Sequence, residues 1–426
     1  MLTFHLVTLF PEFFTSPLSC GLFARAREAK IVDFAMYNPR DWSCDKHHHV
    51  DDAPYGGGPG MVMQVPPVAA CLSSIPEPGR MLICTPGGKP LTQNYAKELA
   101  KETNITLLCP RYEGIDARIE ELFPLEPISI GDVVLNSGDC AALTVIEAVS
   151  RLLPGFMGKA GSAWEESFSD NLLEYPHYTR PELVCGLSVP DVLCSGHHAK
   201  IAHWRRKMAV TKTRTMRPDL LATAHLDKED VAFLRQMPQR RLGRNFAFCL
   251  VHHPVVIEGK TGTASLTNLD IHDIARISAS YGLGDFYVVT PIREQQILLE
   301  QICAHWCQGV CAQKHPDRAQ ALSLVRLAPS IDDVIAQVTE TTGVRPKLIA
   351  SSAKWRDTPL LVPSDIRAML DQEPVVFCLG TSQGLSSEAL ALCDGLMRPL
   401  RFLDYNHLSV RSAAAIYADR ILGDFD

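Results

Sequence analysis

Chemistry-bearing side chains gather at several places in this chain of 426 residues. His47-His48-His49, followed by Asp51-Asp52, offers metal-ligating atoms, but consecutive side chains leave the backbone in different directions, which makes a poor coordination shell. Cys303, Cys307 and Cys311 recur at i, i+4 and i+8 and so share one helical face. Cysteine is among the most buried residue types, and a packed face is the preferred reading over a metal or redox site. Gly56-Gly57-Gly58-Pro59-Gly60 has the composition of an anion nest, yet neither a helix nor a lysine follows. Close backbone approach to a nucleobase or to a partner subunit is the better reading. Residues 200–217 hold Lys200, Arg205, Arg206, Lys207, Lys212, Arg214 and Arg217 with no acidic residue, beside His203 and Trp204. Cations next to stacking faces suit an RNA contact; the alternative is the solvated face of a surface helix.

The chain around these groups has an ordinary globular composition, 46% hydrophobic and 21% charged. Disorder, collagen and coiled coil are excluded, and at roughly 100–200 residues per domain the length implies several domains, each able to bury a core. A net charge of −7 argues against an overall nucleic-acid coat, but the charge is uneven. Residues 1–160 carry 13 basic and 18 acidic side chains, 161–244 carry 13 and 10, and 245–426 carry 15 and 20, so only the middle segment is basic. The N-terminal Met1-Leu2-Thr3-Phe4-His5 has no basic n-region and nowhere do 18 apolar residues run together, so neither an export signal nor a membrane span is expected. Fourteen scattered cysteines without a CxxC pair read as reduced thiols of a cytoplasmic protein.

Positioning these groups falls to alternating strands and helices. Short apolar runs, Met81-Leu82-Ile83-Cys84 and Ile105 to Cys109, alternate with helical patterns such as Leu91 to Lys101, which predicts an α/β sheet. Pro86-Gly87-Gly88 follows the first run and Arg111-Tyr112-Glu113-Gly114 the second, so a ligand is expected at those carboxyl ends. No GxGxxG follows a strand and no GxxxxGK[ST] occurs, which disfavours dinucleotide binding and nucleotide hydrolysis. From Pro176 the pattern turns helical and basic, and Met237-Pro238 to Arg244 reads as a linker. A second α/β unit follows, with strands at Phe246 to Val251, Phe286 to Val289, Lys347 to Ala350 and Val375 to Leu379. Residues 137–155 and 406–423 both pass from a polar loop into a helix rich in small residues, which suggests two versions of one fold.

Several strings stand in order in the first half: Leu9-Phe10-Pro11-Glu12, Asn38-Pro39-Arg40-Asp41, Val50 to Met61, Arg111-Tyr112-Glu113-Gly114-Ile115-Asp116, Ser129-Ile130-Gly131-Asp132 and Pro176-His177-Tyr178-Thr179-Arg180-Pro181. They resemble the bacterial tRNA (guanine-N1) methyltransferases, the TrmD family of the SPOUT class. The resemblance implies a homodimer whose parallel sheet carries a deep trefoil knot, a topology rare among proteins. It further implies S-adenosyl-L-methionine bound bent in the knot loops, and methylation of guanine 37 of tRNA, just 3′ of the anticodon. Carried over by position, the cofactor loops are Cys84, Thr85, Pro86 and Gly87; Arg111, Tyr112, Glu113 and Gly114; and Ile130, Gly131, Val133, Leu135, Ser137 and Gly138. The chain departs from the family pattern at Pro110, where glycine is usual, at Val133, where an aromatic is common, and at Ser137, within a usual Gly-Gly.

N-1 of guanine becomes nucleophilic only when its proton is removed, so methylation there needs a general base, and a cation or N–H must meet the charge that develops on O-6. An acid and an arginine should converge. In Trp164-Glu165-Glu166-Ser167-Phe168, Glu166 stands where the family carries its catalytic aspartate. The extra methylene asks the loop to back off by about 1.5 Å. Glu165 is the fallback base, and a plain solvated linker acid is the alternative. Arg151 matches the family arginine that faces O-6; by position alone it would be a helix C-terminal charge. Glu174 matches an acid that supports the site. In the family this linker orders when tRNA binds between the two subunits, which keeps the base away until the substrate arrives. Lys200, Trp204, Arg205, Arg206, Lys207 and Arg214 then become tRNA contacts. The resemblance also implies magnesium, with Glu113 as a candidate contributor at no defined site.

Thr267-Asn268-Leu269-Asp270-Ile271-His272-Asp273-Ile274-Ala275-Arg276, Leu379-Gly380-Thr381-Ser382-Gln383-Gly384-Leu385 and Asn406 to Ala414 resemble a group of SPOUT RNA methyltransferases. The last two are similar to knot motifs of ribose 2′-O-methyltransferases. They imply a second cofactor site at Leu379, Gly380, Gly384, Leu408, Ser409 and Val410. Arg276 stands where that class carries an activating arginine, although Asp270 replaces the asparagine expected before it. The expected organisation is a SPOUT catalytic domain over 1–160, a linker with the base over 161–175, a small helical tRNA-binding domain over 176–244 and a second SPOUT-like domain over 245–426. A dimerisation role for the last domain stays open. So does the reading from another class, an RNA-binding protein that keeps the knot without catalysis, which glutamate in place of aspartate favours.

Overall fold

Apolar runs without polar alternation become strands covered on both faces. Leu2–Val7 (β1), Val32–Tyr37 (β2), Arg80–Pro90 (β3), Asn104–Leu108 (β4) and Glu126–Ser129 (β5) form one sheet in the order β2-β1-β4-β3-β5, with every pairing parallel. The central β1 shows how the register works. Leu2, Phe4 and Leu6 point into a cluster with helices Gly21–Glu28 and Asp139–Ser150, through Phe23, Val145 and Val149, whereas Val7 faces the helix Val65–Ser73 through Val68 and Leu72. The computed structural model describes residues 1–157, 166–237 and 242–423 and divides into two units, Met1–Ala209 and Val210–Asp426. Trp164 and Glu165 lie outside the described residues, as do residues 238–241 of the expected linker.

β3 runs further than its apolar stretch because the chain leaves the sheet after Cys84 and rejoins it at Lys89, both positions opposite Ile128. The helix expected from Leu91 is Gln93–Leu99, started by the Thr92 hydroxyl, which accepts the Tyr95 N–H. Along the chain, the first α/β sheet is followed by a short antiparallel pair, Leu183–Val184 with Leu187–Ser188, the 19-residue helix His198–Met216, and helix Lys228–Gln236, whose start is fixed by a reciprocal Asp227–Asp230 capping box.

The second sheet comprises Phe246–Val251 (β6), Phe286–Val289 (β7), Val325–Ala328 (β8), Lys347–Ala350 (β9), Val375–Gly380 (β10) and Gly395–Leu396 (β11), all parallel, in the order β8-β7-β6-β10-β9-β11. Alternate residues of β6 divide between two cores. Phe246, Phe248 and Leu250 pack with Ile271 and Ile274 of helix Asn268–Ser280 and Tyr417 of helix Val410–Ile421; Ala247, Cys249 and Val251 pack with Val334 and Val338 of helix Ile331–Thr342. With the edge strand β8 set aside, the order repeats that of the first sheet: second, first, fourth, third, fifth. In both, a helix of small residues follows the last loop, Asp139–Ser150 and Val410–Ile421.

Candidate active sites

In the first unit the loops rise from the carboxyl ends of three neighbouring strands, β4, β3 and β5. Thr85-Pro86-Gly87-Gly88 projects between the two pairings of Ile128, and a Cβ on Gly88 would lie 2.4 Å from the Ile128 nitrogen. The loops after β4 and β5 are fastened together: the Gly138 N–H donates to the Pro110 carbonyl at 2.8 Å, and Arg111 bridges to Ser137. Proline is tolerated at 110 because this contact uses its carbonyl alone. A Cβ on Gly138 would come within 2.8 Å of the Cys109 Cα, so of the family's Gly-Gly pair it is the second glycine that packing demands, and Ser137 is accommodated.

Beneath these loops the fully buried Asp139 accepts from the Thr8 hydroxyl at 2.6 Å and from Arg111 Nη2 at 3.3 Å, while the Arg111 guanidinium lies 4.1 Å from the centre of the Phe10 ring. The sequence reading missed Thr8 and Asp139; an acid opening a helix gives no hint that a residue 131 positions away will meet it. Burial pushes the Cys84 thiol up to about 12 and Cys109 up as well, so neither is a nucleophile. A nucleoside ligand suits this place: among the described residues Arg111 Nε is buried without a hydrogen-bond partner, Tyr112, Val133 and Leu135 are exposed, and a Cβ at Gly87, Gly114 or Gly131 would meet nothing within 4 Å. Main chain and apolar side chains are thus left open to a ligand beside an unused donor.

Arg151 caps the C-terminus of helix Asp139–Ser150, and its Nη2 meets Glu166 Oε1 at 2.6 Å. The structure brings together the acid and the arginine that the chemistry asks for. Glu166 is 19% exposed and Arg151 42%, and a pair this open to solvent contributes only about 0–1 kcal/mol to stability. Nearby, the Glu174 N–H donates to Ser167 Oγ at 3.0 Å and the Glu174 carboxylate meets His177 Nε2 at 2.7 Å.

The basic run lies on helix His198–Met216 except for Arg217, which follows it and meets Asp219 at 2.7 Å. Arg206 meets Asp170 at 3.4 Å, Arg205 covers the Tyr175 ring at 4.8 Å, and Trp204 tilts against Tyr178 at 6.2 Å. Trp204, Arg205 and Arg206 therefore touch the segment that follows Glu166, a link invisible in a count of charges. Lys200 is exposed, Lys207 is half-buried, and Arg214 donates to the Leu234 carbonyl at 3.3 Å.

In the second unit a cleft of about 820 Å³ opens at the carboxyl end of β10, within the usual range of roughly 300–1,000 Å³ for ligand sites. Leu379, Gly380, Gly384, Leu408, Ser409 and Val410 all line it. Gly384, at φ +101°, folds the loop so tightly that a Cβ on Gly380 would sit 2.5 Å from the Leu385 nitrogen. Arg276 is not in this cleft. It lines a neighbouring groove of about 420 Å³ with Asp273, Tyr281 and Arg411. Arg411 lines both spaces and meets Asp270 at 3.0 Å and Asp273 at 3.4 Å, while Thr267 donates to Asp270. The sequence reading held Arg411 only as part of the Asn406 to Ser412 cofactor string; its clustering with two acids needs the fold.

The remaining constellations take separate partners. His49 meets Asp45 at 2.6 Å, whereas His48 Nδ1 lies 3.0 Å from the Arg40 carbonyl. Burial raises the Cys303 thiol to about 11 and Cys307 packs against the second core, but their helix ends at Cys307 and an extended Gln308 starts a new one, Gly309–Lys314, for Cys311, so the three cysteines do not share one helical face as expected. Gly56, Gly57 and Gly58 all have positive φ, with open space around them, and a Cβ on Gly60 would strike the Glu113 carboxylate. No group of three or more His, Cys, Asp or Glu among the described residues could hold a metal ion. No helix among the described residues is long and apolar enough to cross a membrane.

Two parallel sheets of like strand order, each with loops at its carboxyl ends and one beside a carboxylate–arginine pair, make an α/β protein of two similar parts with a place for a ligand in each. Residues 2–223 match the family model described as tRNA (Guanine-1)-methyltransferase TrmD, and residues 245–423 match one described as SAM-dependent RNA methyltransferase. The chain belongs to the TrmD family of methyltransferases and carries a SAM-dependent RNA methyltransferase domain after it. It is 52% identical over 424 residues to a protein of Oleidesulfovibrio alaskensis, covering 99% of each chain. It is 52% identical over 421 residues to one of Nitratidesulfovibrio vulgaris, 98% of this chain and 99% of that one. A shorter relative from Pelotomaculum thermopropionicum is 47% identical over 237 residues, 54% of this chain and 94% of its own. All three are named tRNA (guanine-N(1)-)-methyltransferase. The parallel α/β sheets fit the SPOUT class.

Proposed function

We propose that the chain transfers a methyl group from S-adenosyl-L-methionine to N-1 of guanine 37 in tRNA, working in the cytoplasm as a homodimer with a trefoil-knotted first sheet. The observation that carries this is the 2.6 Å contact between Arg151 and Glu166. Paired, each holds the other ready; when guanine enters, Glu166 takes the N-1 proton and Arg151 turns to the charge that grows on O-6. The N-1 lone pair is then free to act. When bound, S-adenosyl-L-methionine supplies an electrophilic methyl, and the loops at Cys84–Gly87, Arg111–Gly114 and Ile130–Gly138 would hold it. Phosphates of the tRNA compete for Arg205 and Arg206, which loosens their contacts with Tyr175 and Asp170 and frees the segment carrying Glu166 to close. The test is mass spectrometry of nucleosides from unmodified tRNA incubated with the enzyme and with Glu166→Gln. Methyl on N-1 of guanine 37 is expected from the wild type. The variant should keep cofactor affinity in calorimetry and lose about 10²–10⁴-fold in rate; full turnover by Glu166→Gln would remove it from the mechanism.

For the second unit, the cleft at Leu379–Gly384 and Leu408–Val410 supports cofactor binding and, on the motif resemblance, ribose 2′-O-methylation. Arg276 stands in the neighbouring groove, so a substrate served by it spans from cleft to groove past Arg411.

A further inference from the structure

Residues 245–426, the part of the second unit that holds its sheet, carry 15 basic and 20 acidic side chains, a poor surface for a polyanion. Two loops beside its cleft break that pattern. Residues 351–361 and 398–408 hold Lys354, Arg356, Arg398 and Arg401 against Asp357 and Asp404. They lie side by side: Asn406 Nδ2 donates to the Ala353 carbonyl at 2.8 Å and to the Arg401 carbonyl at 3.2 Å, and the Arg398 N–H donates to the Leu361 carbonyl at 2.9 Å. The same loops carry the most exposed Trp, Phe and Tyr rings among the unit's described residues, Trp355 at 61%, Phe402 at 63% and Tyr405 at 79%. Trp355 meets Phe402 edge-on at 5.7 Å, and Arg398 lies 5.3 Å from the centre of the Phe402 ring. Three large aromatics turned to solvent cost solubility and contribute nothing to the core, so their arrangement asks for an occupant.

We infer that these two loops form a docking surface for single-stranded RNA, which stacks its bases on Trp355, Phe402 and Tyr405 and lays its phosphates against Lys354, Arg356, Arg398 and Arg401. Charge decides the occupant: an apolar protein partner has no use for four cations among the rings, whereas an unpaired strand needs both. Position agrees. Lys354, Arg356, Asn406 and His407 also line the 820 Å³ cleft, so a strand held on the rings delivers its neighbouring nucleotide to the cofactor end of β10. This inference rests on reading the second unit as an RNA methyltransferase, and it gives that unit a single-stranded target where the first takes folded tRNA.

The test uses the full-length chain and a photoreactive 4-thiouridine single strand of about 12 nucleotides, within the span such surfaces cover. Crosslinks are expected in 351–361 and 398–408, and affinity measured by anisotropy should fall about tenfold or more in the Trp355→Ala/Tyr405→Ala double variant. That variant should keep the wild-type melting temperature and rate of tRNA methylation. Crosslinks confined to residues before 245, or unchanged affinity in the variant, overturn the inference. So does a variant that binds RNA normally but scatters light as a smaller assembly, which would assign the rings to contact between two copies. Crosslinks at the loops without cofactor binding by the second unit would support the docking surface and sink the methyltransferase reading instead.

Discussion

The Thr8–Asp139–Arg111 network shows how one buried acid holds the loops around a candidate site. Asp139 neutralises Arg111 and fixes both loops that Arg111 bridges. Asp139→Leu removes the acceptor for both donors, and the expected cost is about 2 kcal/mol, read as a lower denaturation midpoint together with weaker cofactor binding. A second buried group gives a pH signature. Burial lowers His252 from 6.5 to about 4, against a smaller opposing pull from Asp270, and neither ring nitrogen has a hydrogen-bond partner among the described residues. The folded state therefore prefers neutral imidazole. Its contribution is full above pH 6.5 and is lost as pH falls toward 4, where the unfolded chain binds the extra proton; the loss reaches about 3 kcal/mol. Calorimetric scans across this window should show a shallower acid decline for His252→Met than for the wild type.

Among the elements, the glycines at loop contacts carry the tightest requirement. Gly138→Ala would push a methyl against Cys109 and Pro110, main chain on one side and a ring on the other, so neither can yield cheaply. Destabilisation of about 1–3 kcal/mol and a parallel loss of cofactor affinity are expected, measured by thermal unfolding and calorimetry. Gly87→Ala, whose added methyl would meet no protein atom, is the matched control for stability alone. The strands were legible where apolar residues ran unbroken: Phe286–Val289 and Lys347–Ala350 fall where the runs stand. β8 escaped notice because Arg326 interrupts it at an exposed edge, and β11 because two residues make no pattern. The site was legible to the degree that it consists of contiguous strings. Glu166 and Arg151 were readable as an acid and an arginine that should converge, whereas Asp139 with Thr8, and Arg411 with Asp270, meet only through the sheet order.

For the whole molecule, two ligand places on one chain make a countable prediction. Calorimetry with S-adenosyl-L-methionine should give two binding events per chain, and Gly380→Val, which crowds the Leu385 nitrogen, should remove one while leaving guanine methylation intact. A single event in the wild type would mean that the second cleft binds something else. The shared strand order also bears on how the chain is made. Sheets of like order in one polypeptide can exchange strands, a characteristic misassembly of multidomain proteins. β1 pairs with β4, Thr3 opposite Asn104, so the first sheet closes only late in its own synthesis, ending at Ser129. The first matching strand of the second sheet, Phe246–Val251, follows 122 residues later by the difference of those end points, about 6–24 s at a ribosome's pace of roughly 5–20 residues per second. The segment between the sheets thereby acts as a delay line: every strand of the first sheet has been made, with time to pair, before the strands that could invade it exist.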